Sequence, residues 1–247
     1  MNARQWLYLY TLAVALAACG SSAAAPPTTA APTPVEPRTV TFKAGDGTDL
    51  HGMLYGEGAT VIVLSNMGDN DPAPWEGFAP QLAARGYRVL TYAYRYPKNA
   101  SDFTTLRAQQ TLDDLRAAIA FVRAEGAQGL ALVGASLGGM VTAKAAADAR
   151  PNVVVVLAVP VDLPAFDFRV DPAELQTLDM PKLFVGSEQD RTVPFAETQR
   201  MYDLAPNPKE LQSYPGTAHG TQLFMGLSAH DLSQRLIDFV TAHLPPI

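Results

Sequence analysis

Cysteine is almost absent: the 247 residues hold one, Cys19. A single cysteine excludes an internal disulfide framework. Histidine is nearly as scarce, with four in the chain, and no histidines stand at helical spacing with a third ligand, so no zinc pattern exists. No haem, flavin or nucleotide signature appears either, and neither a cofactor nor a metal is expected. The chain lacks any run of Lys or Arg, and its formal charge is -6. That balance argues against nucleic acid as a partner. There are no internal repeats. What remains is 48% hydrophobic and 17% charged, enough apolar material for a substantial core and a length that suits one α/β domain or two small ones.

The stretch around which the rest is arranged is Gly129 to Met140. A short apolar strand, Leu130 to Val133, runs into Gly134-Ala135-Ser136-Leu137-Gly138, and a small-residue helix follows from Met140 to about Ala149. This is Gly-x-Ser-x-Gly with a strand before it and a helix after it. A serine nucleophile has to stand proud of a sheet on a very sharp turn, and side chains at Gly134 and Gly138 would collide with the neighbouring strand and helix. The helix N-terminus also turns free N–H groups towards the place where negative charge would develop.

The first residues do not belong to the fold. Trp6 to Ala18 is apolar but shorter than the roughly twenty residues a membrane span needs. It ends in Leu16-Ala17-Ala18-Cys19-Gly20, which resembles a bacterial lipoprotein signal with cleavage before Cys19 and lipid attached to it. Two alternatives stay open: a soluble exported protein cut at Ala15-Leu16-Ala17, and an uncleaved anchor. The expected division is a signal peptide over 1–18, a tether over 19–37 and one globular domain over 38–247. The tether is rich in Ala, Pro and Thr and cannot bury enough surface to fold. No aspartate follows Cys19, which mildly favours the outer membrane in a two-membrane envelope.

The domain reads as strands alternating with helices. Arg38–Lys43 and Leu50–Tyr55 form a hairpin across Gly/Asp turn chemistry, where Asp46 and Asp49 read as turn residues. Thr60–Ser65 is a strand covered on both faces. A helix is predicted over Phe78–Arg85, a strand over Tyr87–Tyr92, and a long helix whose stripe is Leu112, Leu115, Ile119 and Val122. Later strands are predicted at Val153–Val159, Lys182–Gly186 and Glu210–Tyr214. The closing helix begins at Ser228, with Asp231 as its capping partner. This pattern means α/β with a mostly parallel sheet of about eight strands and helices on both faces.

On four stretches the chain resembles the α/β-hydrolase fold, and in detail the compact bacterial serine esterases near the dienelactone-hydrolase branch. They are Ser65-Asn66-Met67-Gly68, the Gly134–Gly139 elbow, Gly186-Ser-Glu-Gln-Asp190, and Pro215-Gly-Thr-Ala-His219-Gly220. The resemblance implies Ser136 as nucleophile, His219 as general base and Asp190 as the acid that orients it. Asp162, one strand earlier, is the alternative acid. The implied oxyanion hole consists of two backbone N–H groups, of Leu137 and of Met67. Asn66 stands where many relatives have a histidine. The segment Pro160 to Met180 is a minimal cap with room for one short helix. The expected pocket is therefore open or shallow, walled by Met67, Trp75, Phe166, Phe168 and Tyr94 or Tyr96.

The expectation is an exported, lipid-anchored serine hydrolase of the cell envelope that cleaves small-molecule carboxylic esters through an acyl-enzyme. Its membrane contact would be the lipid on Cys19. Two alternatives remain: a peptidase or amidase on the same fold, and a non-catalytic envelope lipoprotein.

Overall fold

The structure, a computed structural model, describes residues 36–100 and 104–247. The expected signal, Cys19 and the tether up to residue 35 lie outside the described residues.

Strand character follows burial. β1 (Arg38–Lys43) alternates, with Val40 and Phe42 buried, and pairs antiparallel with β2 (Asp49–Tyr55). Their turn closes as the Asp46 side chain accepts the Thr48 N–H at 3.0 Å. β3 (Thr60–Ser65), β4 (Arg88–Tyr92), β5 (Gly129–Ala135), β6 (Val153–Leu157) and β9 (Lys182–Ser187) are buried along their whole length. Continuous burial is the signature of strands covered on both faces. With β10 (Lys209–Tyr214) they form one eight-stranded sheet in the order β1-β2-β4-β3-β5-β6-β9-β10. β2 joins β4 antiparallel, and every later pair is parallel.

Two apolar layers sandwich the sheet. α1 (Ala73–Ala83) and α6 (Ala229–His243) cover one face with Trp75, Phe78, Leu82, Leu232, Leu236 and Phe239. α2 (Thr105–Ala124), α3 (Leu137–Ala149) and α5 (Phe195–Leu204) cover the other. Each fully buried Leu or Phe contributes about 1.5–3 kcal/mol. Exposed ion pairs such as Lys43–Asp49 and Arg116–Asp148 contribute roughly 0.2–1 kcal/mol each. Burial therefore decides the fold, and surface charge does not.

Between β6 and β9 lies a second, two-stranded ribbon, β7 (Asp162–Leu163) against β8 (Phe168–Arg169), followed by α4 (Pro172–Gln176). This cap is bolted down. Lys144 of α3 reaches both Glu174 oxygens at 2.8 and 2.7 Å and the Arg169 carbonyl at 2.8 Å. Phe168, Val170 and Leu175 are buried in the core beneath it.

Four expectations need correction. α1 starts at Ala73, not Phe78. Pro74 is tolerated in a first turn, Asp71 accepts the Ala73 N–H, and the Trp75 indole donates to the Ser65 carbonyl at 3.1 Å, drawing that turn onto the sheet. α3 starts directly after the serine, at Leu137. Ser228 makes no side-chain cap, and Asp231 instead accepts the Tyr214 hydroxyl at 2.9 Å. Trp75, Phe168, Tyr94 and Tyr96, expected in the pocket wall, are buried core residues.

One buried ion pair ties the exit of β4 to α2. Arg95 donates through Nε to Asp114 at 2.8 Å and through its backbone N–H at 2.9 Å, and also meets Asp46. The Asp114 side chain is fully buried. Burial raises its pKa, and Arg95 opposes that shift. Removing the guanidinium leaves an uncompensated buried carboxylate. Arg95→Met is expected to lose about 3–5 kcal/mol in urea unfolding; a loss under 1 kcal/mol would show that the pair is not what fixes this turn.

Candidate active site

The loop after β3 and the loop after β10 pack around the Ser136 turn at the end of β5, and the loop after β9 joins them through Asp190. Ser136 joins β5 to α3 with φ 53 and ψ -120, a conformation that costs an L-residue about 1–3 kcal/mol. Neighbours hold it there: its N–H donates to the Leu157 carbonyl at 2.8 Å, and its carbonyl accepts the Met140 N–H at 3.1 Å. The flanking glycines are steric necessities. A Cβ on Gly134 would lie 2.2 Å from the Gly138 carbonyl oxygen, and one on Gly138 would lie 2.2 Å from the Asn66 oxygen.

That second contact puts the Ser65–Gly68 loop directly against the elbow. Gly68 also faces the Leu137 side chain. Leu137 opens α3, where first-turn N–H groups have no helical acceptor. Among the described residues the Met67 N–H donates to no backbone or side-chain group. Asn66, flagged in the sequence as a departure from histidine, is fully buried. Its amide donates to the Tyr92 carbonyl at 2.7 Å and to Asn70 at 3.2 Å, so it braces the loop from within.

His219 arrives from the other side. Gly220, with φ 52, is packed so closely that a Cβ there would lie 2.6 Å from Met67 Sδ and 3.4 Å from the Ala135 Cβ. The histidine loop therefore abuts both the residue before the serine and the Met67 loop. His219 Nδ1 lies 2.7 Å from Asp190 Oδ2. The Asp190 side chain is 1% exposed, and its other oxygen accepts the N–H groups of Thr192 and Val193 at 2.8 and 3.1 Å. A carboxylate offers only acceptors, so a ring that bonds to it through Nδ1 carries its proton there. A neutral ring then leaves the Nε2 lone pair free. A paired acid and imidazole beside a half-buried strand-helix turn can activate a hydroxyl and reprotonate a leaving group.

A family model described as an alpha/beta hydrolase domain matches residues 68–239. The chain belongs to the α/β-hydrolase family. Its fold is esterase-like. The esterase domain of a Rhodothermus marinus protein superposes with a TM-score of 0.67 at 18% identity, covering 84% of this chain and 99% of that one. A member of the serine α/β-hydrolases without a lid, from Xanthomonas campestris, gives 0.66 at 22% identity, covering 86% and 97%. In sequence, the uncharacterised protein YfhR of Salmonella typhimurium is 25% identical over 250 residues, covering 86% of this chain and 84% of that one.

Within this α/β-hydrolase the site residues expected from sequence fall as follows. Ser136, Leu137, Met67 and His219 gather at one junction, and Asp190 pairs with His219. Asp162 sits in the cap ribbon opposite Arg169. Cys19 lies outside the described residues. His51, His230 and His243 are exposed. Two features went unread. Gln222 accepts the His219 N–H at 3.0 Å, an interaction signalled by a Gln three residues after a loop residue. Asn70 and Tyr94 clasp the Met67 loop, and no motif announces them.

The backbone of Ser136 makes a stability prediction. Glycine relieves the positive-φ strain, and alanine does not. Relief of about 1–3 kcal/mol exceeds the roughly 0.4–1 kcal/mol that glycine adds to unfolded-chain entropy. Ser136→Gly is expected to be more stable than Ser136→Ala by about 1 kcal/mol in urea unfolding. Equal stability would mean the turn stores no strain.

Proposed function

We propose that this chain is a serine hydrolase that cleaves carboxylic esters through an acyl-enzyme. Ser136 is the nucleophile, His219 the general base and Asp190 the acid that holds the imidazole in its working tautomer. One observation carries the reading: a His219–Asp190 pair at 2.7 Å whose loop packs against the strained Ser136 turn. The N–H groups of Leu137 and Met67 receive the oxyanion. His219 takes the serine proton as Ser136 Oγ attacks the ester carbonyl. It then gives that proton to the departing alkoxide, and a water activated in the same way releases the acid. An ester substrate is favoured by a short cap held to α3 by Lys144 and by a serine left half-buried rather than enclosed, and similar folds carry the name esterase. We further propose that Cys19 is lipidated and tethers the domain to the exported side of the cell envelope. Its support is the Leu16-Ala17-Ala18-Cys19 stretch after an apolar leader.

The acid is tested against its rival. In Asp190→Asn the two loop N–H groups keep the amide oxygen, so the amide NH2 faces His219 Nδ1 and forces the proton onto Nε2. That tautomer cannot accept a serine proton. Replacing the acid by its amide in the best-studied triad costs about 10⁴ in kcat. Asp190→Asn is expected to lose at least about a hundredfold in kcat on a p-nitrophenyl ester, with fluorophosphonate labelling slowed in parallel. Asp162→Asn is expected to stay close to wild type. Ser136→Ala and His219→Ala should each abolish most activity, and their double mutant should be hardly worse than either. Activity surviving in Ser136→Ala, or the opposite ranking of the two aspartates, would overturn the assignment.

The anchor has its own test. Cys19→Ser is expected to release the protein from the membrane fraction or leave it unprocessed, because each buried methylene of an attached lipid supplies about 0.8 kcal/mol. A wild-type mature chain that starts elsewhere and fractionates as fully soluble would remove the anchor and leave the hydrolase reading untouched.

A further inference from the structure

The loop that carries the Met67 N–H is held by a closed ring of side-chain bonds, and one of them controls where that N–H points. The Tyr94 hydroxyl donates to the Asn66 carbonyl at 2.6 Å. Asn66 C=O and Met67 N–H belong to the same trans peptide, in which carbonyl and N–H point in opposite directions. Fixing the carbonyl on Tyr94 therefore fixes the N–H away from Tyr94. The same carbonyl oxygen presses on Gly138 at the base of the elbow. The peptide cannot rotate without losing that contact and the Tyr94 bond together.

Tyr94 is itself immobilised. Asn70, 3% exposed and with φ 56, accepts the Tyr94 N–H at 2.7 Å and donates to the Tyr94 and Tyr96 carbonyls at 3.2 and 2.6 Å. Asn70 in turn donates its own N–H to the Met67 carbonyl at 3.0 Å. The phenol is 3% exposed, and burial pushes its pKa well above the ordinary value. It stays a neutral donor across any working pH. This arrangement exceeds what packing needs. A phenylalanine would fill the same space between the Tyr92 and Tyr96 rings, which lie 5.6 Å from Tyr94 on either side.

We infer that Tyr94 is a positioning residue of the active site, whose hydroxyl aims the Met67 N–H at the substrate oxygen that becomes negative. The inference rests on the serine-hydrolase reading above. Tyr94 touches no substrate. It acts through one peptide plane, and its effect belongs to the transition state. The ground-state ester carbonyl makes a weaker demand on that N–H than the tetrahedral oxyanion does.

The test uses the full chain, wild type beside Tyr94→Phe and Tyr92→Phe. Tyr92→Phe removes the hydroxyl that meets Ser65 at 3.1 Å and leaves the Asn66–Met67 peptide alone. Tyr94→Phe is expected to lower kcat on p-nitrophenyl acetate by about tenfold or more, since loss of a whole oxyanion donor costs about 10²–10³. KM should stay within about twofold, and affinity for a trifluoromethyl ketone, which forms the tetrahedral adduct, should fall in step with kcat/KM. Tyr92→Phe should keep wild-type kcat and ketone affinity. If Tyr94→Phe does not fold, Tyr94→Met gives the same donor-free comparison. Wild-type kcat and ketone affinity in a folded Tyr94 variant would overturn the proposal. So would equal losses in the Tyr92 and Tyr94 variants that track only melting temperature. A wild type that neither turns over ester nor labels with fluorophosphonate would overturn the serine-hydrolase reading and this proposal with it. An active wild type matched by Tyr94→Phe would overturn this proposal alone.

Discussion

The approach of the Asn66 carbonyl to Gly138 is the contact on which the site depends. There is no room for a single carbon between them. Because Gly138 has no side chain, the loop after β3 can lie flat against the first turn of α3. The same economy of space recurs one residue into the strand, where Gly134 faces the Gly138 oxygen, and again at Gly220 against Met67 and Ala135. These close approaches stack three chain segments into one junction. A strained serine survives there because its neighbours leave it no alternative conformation, which is how a cost of about 1–3 kcal/mol is sustained.

The parts of this design fixed by sterics were legible in the sequence. Gly134 and Gly138 announce themselves because no other residue fits, and the unbroken apolar runs of β3, β5 and β6 announce a sheet covered on both faces. Boundaries set by single contacts were not legible. Nothing local says that the Trp75 indole will seek the Ser65 carbonyl and pull α1 back to Ala73, or that Asp231 will prefer the Tyr214 hydroxyl to a cap. Aromatics in loops misled for the same reason. Trp75 and Phe168 look like pocket walls until the layers above and below them are known, and then they are core. Asn66 looked like a missing histidine and is a buried brace with its own partners.

The polar network under the Met67 loop shows why such features stay hidden. Asn70, Tyr94 and Tyr96 occupy loops, where polar residues are expected to face solvent, and all three are buried. Their alternation at 92, 94 and 96 continues the period of β4 beyond its last paired residue. It is this overrun that carries the Tyr94 hydroxyl back to Asn66. The Arg95–Asp114 pair, from the same segment, anchors the overrun to α2. Tyr96 meets the same helix, with the Arg107 guanidinium 5.3 Å from its ring centre.

A site assembled this way leaves little for a moving cap to do. Lys144 holds the cap segment to α3 through Glu174 and the Arg169 carbonyl, and Val159, the last residue before that segment, packs 3.1 Å from where a Gly139 Cβ would be. The cap is thus rooted in the elbow helix at both its entrance and its middle. The Met67 loop packs on the first turn of α3, the cap is tied to Lys144 of the same helix, and the histidine loop packs on Met67 and on Ala135, just before the serine. On the serine-hydrolase reading, oxyanion donors held by such contacts need no closure step, and preorganised donors of that kind cost nothing at the moment of reaction. Selectivity in such a site falls to rim side chains that are free to vary without touching the glycine contacts. Half-buried Phe166, at the turn of the cap ribbon, is not among those contacts, whereas Met67 is, because its Sδ stands 2.6 Å from where a Gly220 Cβ would be.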